Sequence, residues 1–393
     1  MSEKAESGKS VYDPFSAETL ADPFPGYAAL RATCPVHRTE FTPPFFTLSR
    51  YEDVRDALAD PTVWSIRYGQ SPQYTKPAGL VNDPPEHTAF RQLFSRAFTP
   101  RTVEQLEEPI GALADELLDA MLAASDRAAD FHDAYACPLP TIVIAQLLGI
   151  PPEDLPRFKQ MSNDLTATYN LPDPRASAAP RAAFDEYFST VIAARRAKPR
   201  DDLVSRLAAA EVDGRRLSDH ELQWMLLLLL LGGNETSTAL LTNVVWRLLE
   251  VPERWEALRT SPELVDGVVE ESLRHDPPVL GLFRTPTRDV PLHGVTIPEK
   301  SKVMLCYASA NRDEAVFDDA ETFRLERPVD ETRRHLSFGF GAHFCPGAAL
   351  ARLEARVTLE RLVERVPSLR LAGAPERIVP FNLWGRRTLP VAW

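Results

Sequence analysis

The chain is poor in cysteine, has no membrane-length apolar run and carries no excess of positive charge. Each shortage removes a class of protein. Four cysteines, Cys34, Cys137, Cys306 and Cys345, are spread over 393 residues with no CxxC pair. That is too few for a disulfide framework and points to a reducing, cytoplasmic location. Acidic residues outnumber basic ones 56 to 44, a formal net charge of −12, so the summed field repels phosphate backbones and no nucleic-acid partner is expected. The longest apolar run, "WMLLLLLL" from Trp224 to Leu231, is followed by two glycines and Asn234. It falls far short of the ~20 residues a membrane span needs, so no membrane segment is expected and the run reads as a buried core helix. The opening "MSEKAESGKS" lacks the apolar stretch of a signal peptide and reads as a disordered tail over residues 1–10. No Gly/Ser linker or composition break divides the remainder of the chain, and 35 prolines are scattered throughout. Residues 11–393 are therefore expected to form one large domain of helices joined by tight turns.

Strand-like patterning is sparse: "FFTLSR", a hairpin over "VPLHGVTIPEKSKVMLCYASA", and the final "RTLPVAW". Apolar residues at three- and four-residue spacing dominate elsewhere, as in "VEQLEEPIGALADELLDAML" and "PELVDGVVEESLRH". The expected fold class is mainly α with a small β portion. The longest helix starts at Ser218, where "SDHE" supplies a Ser-x-x-Glu capping box, and runs to about Glu250. At 1.5 Å per residue that is roughly 50 Å, enough to cross the domain through its centre. Two stretches rich in Gly, Pro, Ser and Ala, Ser65 to Leu80 and Asn170 to Arg181, read as mobile lid loops.

The most unusual stretch is "FGFGAHFCPG". Gly339, Gly341 and Gly347 let the backbone turn sharply and approach a flat group where a Cβ would collide. Cys345 precedes Pro346, a residue favoured at the first helical position, which places the sulfur at a helix N-terminus. The positive end of the helix lowers a thiol's pKa, so Cys345 is expected to be a thiolate. A nucleophile would want a positioned base, and zinc would want further Cys or His at ligand spacing. A single thiolate among glycines suits the axial ligand of haem iron.

Phe338-Gly339-x-Gly341-x-His343-x-Cys345-x-Gly347 resembles the haem-binding signature of the cytochrome P450 superfamily, and further signatures occur in the family's order along nearly the whole chain. In "GGNETS", paired glycines cost about 1 kcal/mol each in a helix interior and a threonine hydroxyl can bond a carbonyl one turn back. Together they permit a kink. By resemblance the opened turn at Gly232 is the oxygen groove and Glu235 and Thr236 are the acid–threonine pair that delivers protons. Glu271 and Arg274 in "EESLRH" match the family's structural Glu-x-x-Arg. Thr322 stands where the family usually places the third, arginine, member, and Arg327 and His335 are the candidates to replace it. His87, Arg91, Arg284 and His343 match the residues that hold the haem propionates, two carboxylates that need charge-assisted partners.

The resemblance implies a cytochrome P450 fold, haem b as cofactor, and a soluble monomeric monooxygenase that uses dioxygen to oxidise an apolar small molecule. The chain has no room for a flavin or nicotinamide domain and no GxGxxG after a strand, so electrons are expected from a ferredoxin and its reductase, docking near Arg352 and Arg356. The pocket is expected along Trp64 to Leu80, Leu165 to Asn170, Leu228, Gly232, Val279 to Leu282, and Phe381 to Leu383. Terpenoid, steroid, fatty acyl, aromatic and polyketide substrates all suit such a wall, and Arg67 in the lid loop reads as a solvated arginine, with anchoring of a carboxylate as the alternative. A peroxide-driven haem-thiolate enzyme and a non-catalytic haem sensor are the alternatives.

Overall fold

In the computed structural model, which describes residues 12–168, 174–212, 214–378 and 380–393, the capping box at Ser218 forms. Its hydroxyl accepts from the Glu221 amide at 3.2 Å, and the Glu221 carboxylate accepts from the Ser218 amide at 2.8 Å. The tail expected over residues 1–10 lies outside the described residues.

The helical body comprises α1 (Glu86–Ala97), α2 (Glu107–Leu122), α3 (Pro138–Leu148), α4 (Leu155–Ala167), α5 (Ala178–Ala197), α6 (Asp219–Gly233), α7 (Glu235–Glu250), α8 (Val265–His275) and α9 (Ala348–Arg365). Helices α6 and α7 are the long helix of the sequence reading, broken at Asn234 (φ −90°, ψ −69°). The stretch from Asp219 to Glu250 is long and apolar enough to span a membrane, but 67% of its most apolar window is buried inside the protein. It is a core helix. Leu222, Met225, Leu226 and Leu230 before the break, and Leu240, Leu241, Val244 and Val245 after it, are 1% exposed or less. Each such side chain contributes roughly 1.5–3 kcal/mol by leaving water. Helices α3, α4 and α5 pack around α6, while α8 and α9 flank α7 and α2 lies against α9.

The β portion is a five-stranded sheet of β1 (Val36–Thr39), β2 (Phe45–Leu48), β3 (Trp64–Ser65), β4 (Leu282–Pro286) and β5 (Lys302–Leu305), in the order β1-β2-β5-β4-β3. Strand β5 runs parallel to β2, pairing Lys302 with Phe45, and antiparallel to β4, pairing Val303 with Arg284. The expected hairpin is shorter than the sequence suggested. Val290–Leu292 pairs with Val295–Ile297 around His293 and Gly294, both at positive φ as a tight two-residue turn requires. Pro298 and a left-handed Lys300 then end the hairpin and release Lys302–Leu305 to the larger sheet. The last apolar piece forms strands, with Pro390–Ala392 pairing both Ala128–Asp130 and Arg370–Leu371.

Both expected loops differ from their reading. Residues 169–173 lie outside the described residues, Pro174–Ser177 form a 3-10 turn, and Ala178 to Arg181 already belong to α5. Alanine favours the helix there, and Pro180 falls in its first turn, where a missing N–H is tolerated. The segment after Ser65 is irregular but tethered. Buried Lys302 donates to the carbonyls of Tyr68 at 2.7 Å and Gly69 at 3.1 Å, and the Tyr74 hydroxyl donates to the Lys300 carbonyl at 2.5 Å.

Candidate active site

The cysteine loop is shaped by two glycines that cannot be replaced cheaply. Gly339 and Gly341 both sit at φ +71°, and a Cβ on Gly341 would lie 3.0 Å from the Leu58 carbonyl oxygen. The loop is closed by the Cys345 amide donating to the Phe338 carbonyl at 2.8 Å and the Phe344 amide to the Gly341 carbonyl at 3.1 Å. Helix α9 begins at Ala348 with Gly347 as its cap, so Pro346 lies in the preceding turn and not at the first helical position. A Cβ on Gly347 would stand 3.9 Å from Cys345 Sγ.

The expected lowering of the cysteine pKa does not hold for the polypeptide alone. Burial pushes the Cys345 thiol up, and the opposing pull of the Gly347 and Ala348 amides and the Arg91 and Arg352 guanidiniums does not cancel it. Desolvation outweighs the helix end at this depth. A thiolate here calls for a bound cation, whose binding releases the proton.

Cys345 lines a cavity of 290 Å³ that is also lined by the break between α6 and α7: Leu228, Leu229, Gly232, Gly233, Thr236, Ser237 and Leu240. The two glycines have different tasks. A Cβ on Gly233 would strike Ile144 of α3 at 2.6 Å, so that position needs glycine for packing, whereas nothing lies within 4 Å of a Cβ on Gly232, which faces open space. Thr236 Oγ1 donates to the Gly232 carbonyl at 2.5 Å, one turn back. Asn234, 2% exposed, holds the break from behind. Its Nδ2 donates to Ser162 Oγ of α4 at 2.5 Å, and its Oδ1 accepts from Thr141 Oγ1 of α3 at 2.7 Å.

A second cavity, of 380 Å³, shares Gln70, Val81, Leu228, Gly232, Thr236, Val279 and Leu282 with the first. Glu235 faces this one, where burial pushes its carboxyl up against the opposing pull of His132. Thr236 therefore lines both cavities, Glu235 only the second and Cys345 only the first. Of the expected pocket segments, Ile66, Gln70, Leu80, Leu165, Leu228, Val279, Leu282 and Leu383 line one cavity or the other. Phe381 instead packs in an aromatic cluster with Phe15, Phe45 and Phe283, and Asn170 lies outside the described residues. Arg67 pairs with Asp83 at 2.9 Å.

The four expected propionate residues also meet on the first cavity. His87 on α1 and His343 in the cysteine loop place their rings 4.2 Å apart. His87 Nδ1 and His343 Nε2 are both buried with no hydrogen-bond partner among the described residues. Burial, then Arg284, His87 and Arg91, push the His343 imidazole down to about 3. Arg91 donates to the Phe344 carbonyl at 2.6 Å, and Arg284, 3% exposed, donates only to the Phe283 carbonyl at 3.1 Å. Among the described residues no carboxylate pairs with either arginine. Two orphaned imidazole nitrogens and two such guanidiniums around one cavity fit the paired carboxylates of a bound group. Phe338 lines the same cavity, with the Arg352 guanidinium 4.6 Å from its ring centroid.

The chain matches the family model Cytochrome P450 over residues 41–367. It belongs to the cytochrome P450 family. It is 38% identical to the cytochrome P450 monooxygenase PikC of Streptomyces venezuelae over 388 residues, covering 95% of this chain and 91% of that one. It is 40% identical to the nocardicin C N-oxygenase of Nocardia uniformis subsp. tsuyamanensis, covering 97% of this chain and 98% of that one. The fold superposes on the cytochrome P450 PksS of the Bacillus subtilis bacillaene polyketide synthase with a TM-score of 0.88 at 35% identity, covering 97% and 99% of the two chains. The protein is a cytochrome P450 monooxygenase, and its cofactor is protoporphyrin IX haem iron.

The P450 scaffold resolves the missing third partner. Arg274 donates to both Glu271 oxygens at 2.8 Å, and Arg327 donates through Nε to the same carboxylate at 3.1 Å. Thr322 contributes its carbonyl, which accepts from both arginines. His335 bonds a different acid, Glu270, at 3.1 Å. Arg352 and Arg356 are not the free docking charges the sequence suggested. Arg352 pairs with Glu270 at 2.7 Å, and Arg356 with Glu107 at 2.9 Å and Glu360 at 3.2 Å.

Two residues escaped the sequence reading, Asn234 and Glu354. Glu354 on α9 is 1% exposed, neither carboxylate oxygen has a hydrogen-bond partner within bonding geometry among the described residues, and burial pushes its carboxyl up to about 8 against the opposing pull of Ser237 beside it. A glutamate inside an amphipathic helix pattern carries no signal of its depth.

Proposed function

We propose that Cys345 is the axial thiolate ligand of the haem and that the enzyme uses dioxygen to oxidise an apolar small organic molecule, with electrons from a ferredoxin and its reductase. Bound haem supplies the redox-active iron at which dioxygen is reduced, with the sulfur favouring O–O cleavage. The observation that carries the reading is that Cys345 and Thr236 both line one largely apolar cavity. His87, Arg91, Arg284 and His343 hold the two propionates, and Phe338 and Gly347 shape the seat beside the sulfur. Gly232 leaves the groove open. Thr236 positions a proton there, its hydroxyl held by the Gly232 carbonyl, and Glu235 resupplies it from the second cavity. Help of this kind is worth ~10²–10⁴-fold.

Members of the family that run on peroxide tend to place Arg-Pro where this chain has Glu235-Thr236, which disfavours the peroxide reading. A sensor would block the open site, whereas the α6–α7 break contributes no imidazole, thiol or thioether to the cavity among the described residues. Phe340 and Phe344, 44% and 40% exposed on the cysteine loop, support a partner docking there. A relative bears the name nocardicin C N-oxygenase and others the name steroid C26-monooxygenase, in keeping with a small organic substrate. A monomer in the cytoplasm completes the proposal.

The test reduces the purified protein under carbon monoxide, then measures turnover with ferredoxin, reductase and oxygen against turnover with peroxide. A thiolate-type spectrum that Cys345→Ser abolishes is expected, since a hydroxyl is a far weaker and harder ligand. So is faster turnover with the protein donors. Retention of that spectrum in Cys345→Ser would overturn the ligand assignment, and faster peroxide turnover would overturn the donor.

A further inference from the structure

The second cavity joins apolar and polar walls: Leu228, Val279, Leu282 and Leu383 line it, and so do Thr166, Thr168 and Arg181. Among the described residues on its wall only two are ionisable, Glu235 beside Thr236 and Arg181, which lies against Trp224.

Arg181 is built into place. Its Nε donates to both carboxylate oxygens of Asp185, one turn on along α5, at 2.8 and 2.9 Å. Its guanidinium carbon lies 4.6 Å from the ring centroid of Trp224 on α6. That indole is itself fixed, because Trp224 Nε1 donates to His220 Nε2 at 3.1 Å. Gln223 ties α6 to α5 by donating to the Asp185 carbonyl at 3.1 Å and to Ser189 Oγ at 2.9 Å. Among the described residues Arg181 is held through Nε and by the ring faces of Trp224 and, at 6.0 Å, Phe184. The two terminal nitrogens, the pair that forks onto a carboxylate, have no hydrogen-bond partner among the described residues. An arginine braced this way has already lost its rotamer freedom, so binding to it costs less than binding to a mobile side chain.

The spacing gives the length of the ligand. From Trp224 to Thr236 is twelve residues of α6 and α7, about 18 Å along the helix. Glu235 at the reactive end offers no cation to compete for an acid group, so the two ends of the cavity set one orientation.

We propose that Arg181, laid on Trp224 and braced by Asp185, anchors the carboxylate of an elongated amphipathic substrate whose apolar body runs along α6 to Thr236. The proposal rests on the monooxygenase reading and names its substrate class: long-chain or comparably extended organic acids, oxidised at the end remote from the carboxylate.

The test titrates the haem-loaded enzyme with hexadecanoate and with its methyl ester, following the shift from low to high spin. Wild type should bind the acid at least ~10-fold more tightly than the ester, the scale of a hydrogen bond to a charged group. Arg181→Gln should erase that preference while leaving the ester's affinity within about 2-fold, and Arg181→Lys should keep part of it. Equal binding of acid and ester by wild type, no spin shift with hexadecanoate, or equal weakening of both ligands by Arg181→Gln would overturn the anchor. The carbon monoxide spectrum of each variant separates the two ideas. A thiolate spectrum with no acid preference sinks the anchor alone, while a missing thiolate spectrum in the wild type sinks the monooxygenase reading beneath it.

Discussion

The Glu271–Arg274–Arg327 cluster and the cleft lined by His87, Arg91, Arg284 and His343 are both polar and buried, yet their groups are satisfied in opposite ways. In the cluster every charge has partners. The Glu271 carboxylate accepts from both arginines and from the Arg324 amide at 2.9 Å, and Arg274 also donates to the carbonyls of Asn311 and Ala320. In the cleft, among the described residues, His87 Nδ1 and His343 Nε2 have no partner, and Arg284 reaches one carbonyl. Native interiors leave few polar atoms unpaired, and a half-satisfied group in low dielectric is costly. A closed network is therefore scaffold, and a concentration of open valences around one cavity marks where a ligand's charges belong. We assign the open valences to the haem propionates.

The closed side breaks hardest. Glu271→Leu strips two buried guanidiniums of their shared carboxylate, at about 3–5 kcal/mol for each broken pair, against a total stability of only ~5–15 kcal/mol. Soluble, haem-loaded protein should all but vanish from expression trials.

Glu354 belongs to neither side, and its cost is set by pH. Its folded pKa of about 8 lies above the ordinary 4.5, so between those values the unfolded chain has released a proton that the folded chain still holds. Stability must fall as pH rises through that window, by on the order of 5 kcal/mol. Glu354→Gln should flatten the decline, read as the thermal midpoint at a series of pH values. A wild-type midpoint that rises with pH there, or a Gln variant with the same slope, would contradict the burial argument.

The smallest effect is expected at Asn234. Asn234→Ala leaves the hydroxyls of Thr141 and Ser162 without their shared partner, about 1–3 kcal/mol, and frees the break that holds Thr236. The protein should fold and bind haem, with a lower ratio of product formed to NADPH consumed.

How much could be read in the sequence depends on how local each feature is. The capping box at Ser218, the break at "GGNETS" and the glycine turns around Cys345 are written in adjacent residues, and each forms where its spacing placed it. Arg327 lies 56 positions from Glu271 in an aperiodic segment, so nothing local distinguished it from His335. The pairing of Asn234 with Thr141 and Ser162 likewise joins three helices that only the tertiary fold brings together. The cysteine shows the opposite failure. Its local signal, a thiol before a helix, was real, but burial acts on the whole site and outweighed it. Arg352 read as a free charge because its acid, Glu270, lies on another element, as does Glu107, one of the two partners of Arg356; the other, Glu360, stands one turn on along the same helix and was legible.

The most direct test of the assignment compares two cofactors in one protein. The enzyme is reconstituted with haem and with its propionate dimethyl ester, and the rate of loss of each to an excess of a scavenging apoprotein is measured. If the cleft's open valences belong to the propionates, the ester should leave at least ~10-fold faster, the scale of hydrogen bonds to charged groups, and Arg284→Leu should shrink that difference by accelerating loss of haem alone. Equal rates for the two cofactors in the wild type would contradict it.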